Sequence, residues 1–216
     1  MLRWLLQVVL GFYLACVLGL FYLKWFPPLT TTVQMQRRIE AFSLAEPYTK
    51  RYRFVPLDEL SPHIVHAAVA SEDARFFDHG GIDWRELGVI FDKAQRSGHV
   101  SRGGSTITQQ LVKNLFLTTH RSFVRKALEF ALTPLAELIL TKDRILELYL
   151  NVIEWGPGVY GAEAVAQFYY NTSAKHLTRD QAARLVACLP APLERRPQEM
   201  DERAADVNER MRDMGW

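Results

Sequence analysis

The chain of 216 residues lacks most of the signatures by which enzyme classes are recognised. It has two cysteines, Cys16 and Cys188. Two are too few for a disulfide framework, and Cys16 sits inside an apolar run where a bridge to Cys188 is not expected. CxxC, HExxH and a Gly-rich phosphate loop are all missing, which removes the common redox, zinc and nucleotide motifs. No internal repeat is visible. The net charge of +2 gives no reason to expect a nucleic-acid partner. One further absence is local. From Lys93 to Leu128 there is no Asp or Glu, while the same span holds Lys93, Arg96, Arg102, Lys113, Arg121, Arg125 and Lys126. Such a one-sided segment points to an anionic ligand.

Charge is also missing from Trp4 to Leu23, a run closed by Arg3 and Lys24. Twenty helical residues reach ~30 Å, the thickness of a bilayer core. Trp4, Tyr22 and Trp25 lie near its ends, where amphipathic rings prefer the interface. The rival is a cleavable signal peptide, but "FYLKWFPPLT" offers no small-residue cleavage site. Residues 4–26 are therefore read as a single-pass membrane anchor. Its orientation is poorly set, because Arg3 competes with Lys24, Arg37 and Arg38.

Beyond the anchor, residues 27–54 read as a linker and membrane-proximal segment. Pro27 and Pro28 stiffen the exit, and Met35, Ile39 and Phe42 recur at helical spacing. "RYRFVP" predicts a brief strand. After it the pattern is helix upon helix. Ser61-Pro62 is an N-cap with a first-turn proline. Asp83 with Glu86, Thr106 with Gln109 and Thr178 with Gln181 have capping-box spacing. Leu87, Ile90 and Phe91 are the expected buried face of the helix after Asp83, and Asp143 opens another. A long helix is expected from about Phe123 to Leu140, with a kink or break near Thr133, because Pro134 costs ~3 kcal/mol inside a regular helix. Gly156-Pro157-Gly158 demands a loop. A main domain over 55–197 and a helical tail over 198–216 complete a mainly α chain.

Three groups of residues could carry chemistry. In "ASEDARFFDHGGID" (70–83), Glu72 ends an apolar helix beside aromatic residues. Desolvation there would raise its pKa toward the range of a general base. The plain alternative is two solvated acids at a helix end. Gly80 and Gly81 permit a sharp turn that brings His79 toward Glu72. His63 and His66 could face each other, but no further ligands make a metal site. In "GGSTITQQLVKNLFL" (103–117), Ser105, Thr106, Gln110, Lys113 and Asn114 crowd a helix start, where free N–H groups attract anions. A capped surface helix would explain the same residues. Glu129 follows Arg125 by four residues, which makes either a surface ion pair or a carboxylate ordering a phosphate site or a divalent cation. Paired carboxylates and a cationic cleft behind a membrane anchor suggest glycosyl transfer from a lipid diphosphate donor.

These two blocks, with "RKALEFALTPLAELILTKDRILELYLNVIEWGPGVYGAEAVAQFYY" and "AARLVACLPAP", closely resemble the peptidoglycan glycosyltransferases of glycosyltransferase family 51. The likeness is to their monofunctional biosynthetic branch, since no transpeptidase domain follows. It covers most of residues 55 to 197. It implies a lysozyme-like helical fold with head and jaw lobes behind one transmembrane helix. It also implies polymerisation of lipid II into β-1,4 glycan strands with inversion and release of undecaprenyl diphosphate. Glu72 matches the catalytic base and Glu129 the second glutamate of the family. Lys113, Arg125 and, less closely, Lys126 match basic residues near the donor diphosphate. Ser105, Thr106, Gln110 and Asn114 match polar positions of the donor cleft, while Asp73, Phe76 and His79 match residues that shape the site. No cofactor is required by the resemblance, although some relatives are stimulated by a divalent cation (Mg2+ or Mn2+), for which Glu129 would be the ligand. The expected place is the bacterial inner membrane, with the domain on the periplasmic side. The expected partners are lipid II, the lipid-linked glycan chain and cell-division or elongation proteins. Pro134 departs from the family pattern. The main alternative activity is a lytic enzyme on the same fold, cutting finished glycan.

Overall fold

The computed structural model describes residues 2–97 and 104–216. The chain is mainly helical. In order it runs α1 (Leu2–Leu23), α2 (Thr32–Ser43), β1 (Arg51–Tyr52), α3 (Pro62–Glu72) and α4 (Trp84–Ser97). Then come α5 (Ile107–Phe116), α6 (Phe123–Ile139), α7 (Lys142–Val152), β2 (Glu154–Gly156), β3 (Val159–Tyr160), α8 (Ala162–Tyr170), α9 (Arg179–Cys188) and α10 (Asp201–Asp213). The three short strands form one sheet in the order β1-β3-β2, with β1 parallel and β2 antiparallel to β3. Gly156-Pro157-Gly158 therefore ends one strand and turns toward the next. The brief strand expected in "RYRFVP" is β1.

Local caps set most helix starts. Ser61 accepts the His63 amide with Pro62 in the first turn of α3. Thr106 and Thr178 each form a complete capping box, with Gln109 and Gln181. The start expected at Asp143 is capped by Thr141, whose hydroxyl accepts the Arg144 amide, leaving Asp143 in the first turn where an acid suits the helix dipole.

The core is built around α5. Ile107, Leu111 and Val112 are fully buried, and α6 and α7 cover them with Leu132, Ile145 and Tyr149. α3 lies beside α9 and α10. Ala204, Val207 and Met211 of α10 are buried in the same core, so residues 201–213 pack as a wall behind α3.

One expectation about packing is corrected, and one about a helix holds. Leu87, Ile90 and Phe91 do not bury: α4 has no buried residue, and Phe91 is 62% exposed. Met35, Ile39 and Phe42 do lie on a helix, but they face outward, and α2 instead buries Val33 and Gln34. Periodicity marks which residues share a face and does not say what covers that face.

The break expected at Thr133 is also absent, since α6 runs through Pro134. Pro134 lies on the exposed side, where water can reach the carbonyl that it leaves unpaired. Thr133 turns its hydroxyl back onto the Glu129 carbonyl at 2.7 Å.

Residues Leu6–Leu23 of α1 are long and apolar enough to cross a membrane. Trp4, Leu6, Val8, Leu10, Leu14 and Leu18 are exposed. The last turns behave differently: Cys16, Leu20 and Leu23 are buried against the rest of the chain. Arg144 of α7 donates from Nε to the Leu23 carbonyl (2.8 Å) and from a terminal nitrogen to the Phe26 carbonyl (2.9 Å). Carbonyls at a helix C-terminus have no partner within the helix, and a guanidinium satisfies them well.

Candidate active site

Glu72 is the last residue of α3. It is half-buried, and burial raises its carboxyl above the usual range against the opposing pull of Gln110, Lys113 and Arg210. One oxygen, Oε2, accepts Gln110 Nε2 at 2.7 Å. The other has no hydrogen-bond partner among the described residues. The Gln110 amide is itself oriented from below: the hydroxyl of the fully buried Tyr149 donates to its Oε1 at 3.3 Å. Tyr149, Gln110 and Glu72 thus form a relay from the core to an open carboxylate oxygen.

Lys113 stands one turn further along α5. Its ammonium has no hydrogen-bond partner among the described residues, and burial lowers its pKa while Glu129 and Glu72 both pull it up. It therefore couples two groups that are far apart in sequence.

The second group is centred on Glu129, which is 2% exposed. Arg125 donates to its Oε2 and Lys126 to its Oε1, each at 2.5 Å. Lys126 also reaches the Ser105 hydroxyl at 3.0 Å. The surface ion pair considered for Arg125 and Glu129 is thus a three-residue cluster in which two half-buried cations share one buried carboxylate. Arg125 keeps one buried donor, Nε, without a partner among the described residues.

A third group shapes the turn after α3. His79 does not face Glu72, as the turn at Gly80-Gly81 suggested, but bonds Asp73: His79 Nε2 lies 2.8 Å from Asp73 Oδ1. The Ile107 amide donates to Asp73 Oδ2 (3.0 Å) and the Gly81 amide to His79 Nδ1 (3.0 Å). Thr106 bonds the Gly81 carbonyl, and Phe76 is fully buried beneath the Lys142 ammonium. Lys142 in turn donates to the His79 carbonyl and to Glu137, which also accepts from Thr108. Gly81 has φ +90°, and a Cβ there would lie 2.6 Å from Thr133. Asn114 donates to the Gln110 carbonyl within its own helix. His66 stacks on Trp216 with ring centres 4.3 Å apart. Arg102 and Gly103 lie outside the described residues.

Neither acidic set suits a resident divalent cation. Both Glu129 oxygens hold cationic N–H groups. Donor atoms of Asp73, His79 and Asp83 lie within 4.8 Å of one another. Yet Asp73 and His79 are bonded to each other and to backbone amides, and Asp83 is gripped by Arg75.

Sequence reasoning missed Tyr149, Glu137, Lys142 and Arg210. Tyr149 reads as one more apolar core position until its hydroxyl is placed, and Glu137 and Lys142 read as a surface pair.

The Transglycosylase family model matches residues 37–214. The chain belongs to the transglycosylase family. It is 42% identical over 199 residues to the biosynthetic peptidoglycan transglycosylase of Laribacter hongkongensis, covering 89% of this chain and 87% of that protein. It is 39% identical over 217 residues to the protein of that name from Ectopseudomonas mendocina, covering 99% and 89%. The Dechloromonas aromatica relative is 44% identical over 197 residues, covering 88% and 85%. The chain is a glycosyltransferase enzyme of the peptidoglycan transglycosylase kind. Its apolar N-terminal helix fits a single-pass anchor. The transglycosylase match takes in the latter part of α2 and all of α10 as well as the blocks between them.

Proposed function

We propose that the chain polymerises lipid II, lengthening a lipid-linked glycan strand with inversion and releasing undecaprenyl diphosphate on the periplasmic side of the inner membrane. The observation that carries this reading is the unpartnered Glu72 oxygen beside Lys113. Glu72 accepts the proton of the acceptor sugar's 4-hydroxyl. The oxygen attacks the anomeric carbon of the growing chain from the side opposite its diphosphate. The new C–O bond forms as the bond to the diphosphate oxygen breaks, and the leaving group carries away the electron pair.

The leaving group develops negative charge, and fixed cations placed where charge develops stabilise it most. Lys113 and the spare Nε of Arg125 offer donors for that purpose. Glu129 holds Arg125 and Lys126 in place, and Ser105 fixes the Lys126 ammonium. Thr106, Asp73, His79 and Phe76 hold the turn after Glu72, and Asn114 fixes the backbone that carries Gln110. None of these steps needs a bound metal.

The test is purified protein incubated with labelled lipid II and, separately, with finished sacculi. Polymer from lipid II is expected. Glycan released from sacculi, without polymer, would replace the synthase by a lytic enzyme. Lys113→Ala or Arg125→Ala should lower polymerisation by roughly 10²-fold, the cost of removing one charge-stabilising donor. A loss no greater than that from a remote lysine would undo the diphosphate assignment.

A further inference from the structure

α3 ends at Glu72 with its carbonyl end, the negative pole of the helix dipole. A half-buried carboxylate there is opposed by burial and by the dipole together. Lys113 offsets this from the front. From behind, on the other side of α3, the exposed guanidinium of Arg210 reaches the carbonyl of Ser71, the residue before Glu72, at 3.4 Å.

Arg210 is carried on a firm mount. Its neighbour Met211 is fully buried, as are Val207 and Ala204 one and two turns earlier. Arg179 of α9 donates to the Asn208 side chain and carbonyl (3.1 Å each) and to the Trp216 carbonyl (2.8 Å). Trp216 stacks on His66 of α3. α10 is therefore tied to the helix that bears Glu72 through Arg210 at Ser71 and, past its C-terminus, through Trp216 at His66.

We infer that Arg210 is a positioning residue for Glu72: it holds the last turn of α3 from behind and supplies positive charge at its carbonyl end. This rests on the reading of Glu72 as the base. The groups that face Glu72 are Gln110 and Lys113 from α5, Tyr149 from α7, Arg210 from α10 and its own neighbour Asp73. α9 directs Arg179 toward His66, in the middle of α3. Among these, Lys113 and Arg210 are the cations, and both favour the ionised carboxylate. Removing Arg210 leaves only Lys113 and the Gln110 hydrogen bond against burial, so the base ionises at higher pH. Because Arg210 is exposed, its influence weakens as salt rises.

The experiment uses the full chain in four variants: Arg210→Gln, Arg210→Lys, Glu72→Gln and, as a control on the same helix, the exposed Arg203→Gln. The acid limb of kcat/KM for lipid II polymerisation is read at low and high salt, together with the unfolding temperature. The limb is expected at higher pH in Arg210→Gln, restored in Arg210→Lys and unmoved in Arg203→Gln. The unsubstituted protein's limb should drift toward that of Arg210→Gln as salt is added. A limb unmoved in Arg210→Gln, or moved equally in Arg203→Gln, overturns the inference. So does a limb insensitive to salt in the unsubstituted protein, a readout that stands even if Arg210→Gln does not fold. If Glu72→Gln keeps full turnover, the base assignment itself has failed. If Glu72→Gln is inactive while Arg210→Gln leaves the limb in place, only the present inference falls.

Discussion

Glu72 works against the stability of the fold that holds it. Burial raises its carboxyl in the folded chain, so between the ordinary carboxylate pKa and the raised one the folded state binds more protons than the unfolded state. The associated stability is present at acid pH and is lost as pH rises through the raised value. Glu72→Gln removes that loss. It should raise the unfolding temperature at neutral pH, with the gain fading as pH falls, while turnover drops by roughly 10²–10⁴-fold. A variant that lost turnover and stability together at neutral pH would mean that Glu72 is a structural acid. For the unsubstituted enzyme, the rate should climb with pH over a range lying above that of an exposed carboxylate. Tyr149→Phe leaves the core filled but frees the Gln110 amide to turn. Its expected signature is a lower kcat with the unfolding temperature nearly unchanged, read by steady-state kinetics beside a thermal melt.

The turn between α3 and α4 and the proline in α6 make the element-scale tests. Gly81→Ala places a methyl against Thr133 and Glu137 in a backbone conformation that alanine rarely adopts. It should cost more than 1 kcal/mol, visible in denaturant unfolding, and displace the His79–Asp73 pair. Pro134→Ala restores a backbone donor on the exposed side of α6 and should stabilise the chain by up to ~3 kcal/mol with polymerisation unchanged. Helix starts were legible in the sequence because their causes are local: a hydroxyl and a glutamine three residues apart suffice at Thr106 and Thr178. Strands β2 and β3 were not legible, since strands of three and two residues are held by pairing with each other and with β1. The site divides in the same way. Glu72, Lys113 and Glu129 stood out as residue types in unusual surroundings. The Asp73–His79 pair, the Tyr149 relay and the reach of Arg210 depend on how distant elements pack, and no spacing announces them.

At the scale of the whole molecule, the acid-free span is only partly the open cationic surface that its composition suggests. Arg125 and Lys126 share the single carboxylate of Glu129, which offsets one of their two charges, and Lys113 is drawn to both Glu129 and Glu72. Substrate recruitment should therefore respond only moderately to salt. A steep salt dependence of KM, equal to that of several free surface cations, would show that the glutamates do not restrain these groups. The buried end of α1 has a different consequence. With Leu20 and Leu23 sunk into the domain and Arg144 gripping the carbonyls of Leu23 and Phe26, α1 is joined to the domain as a stalk rather than a leash. On the proposed reading, with α1 across a bilayer, such a stalk sets the height and tilt of Glu72 and Lys113 relative to the membrane surface, so the growing strand would move while the carboxylate stays in place.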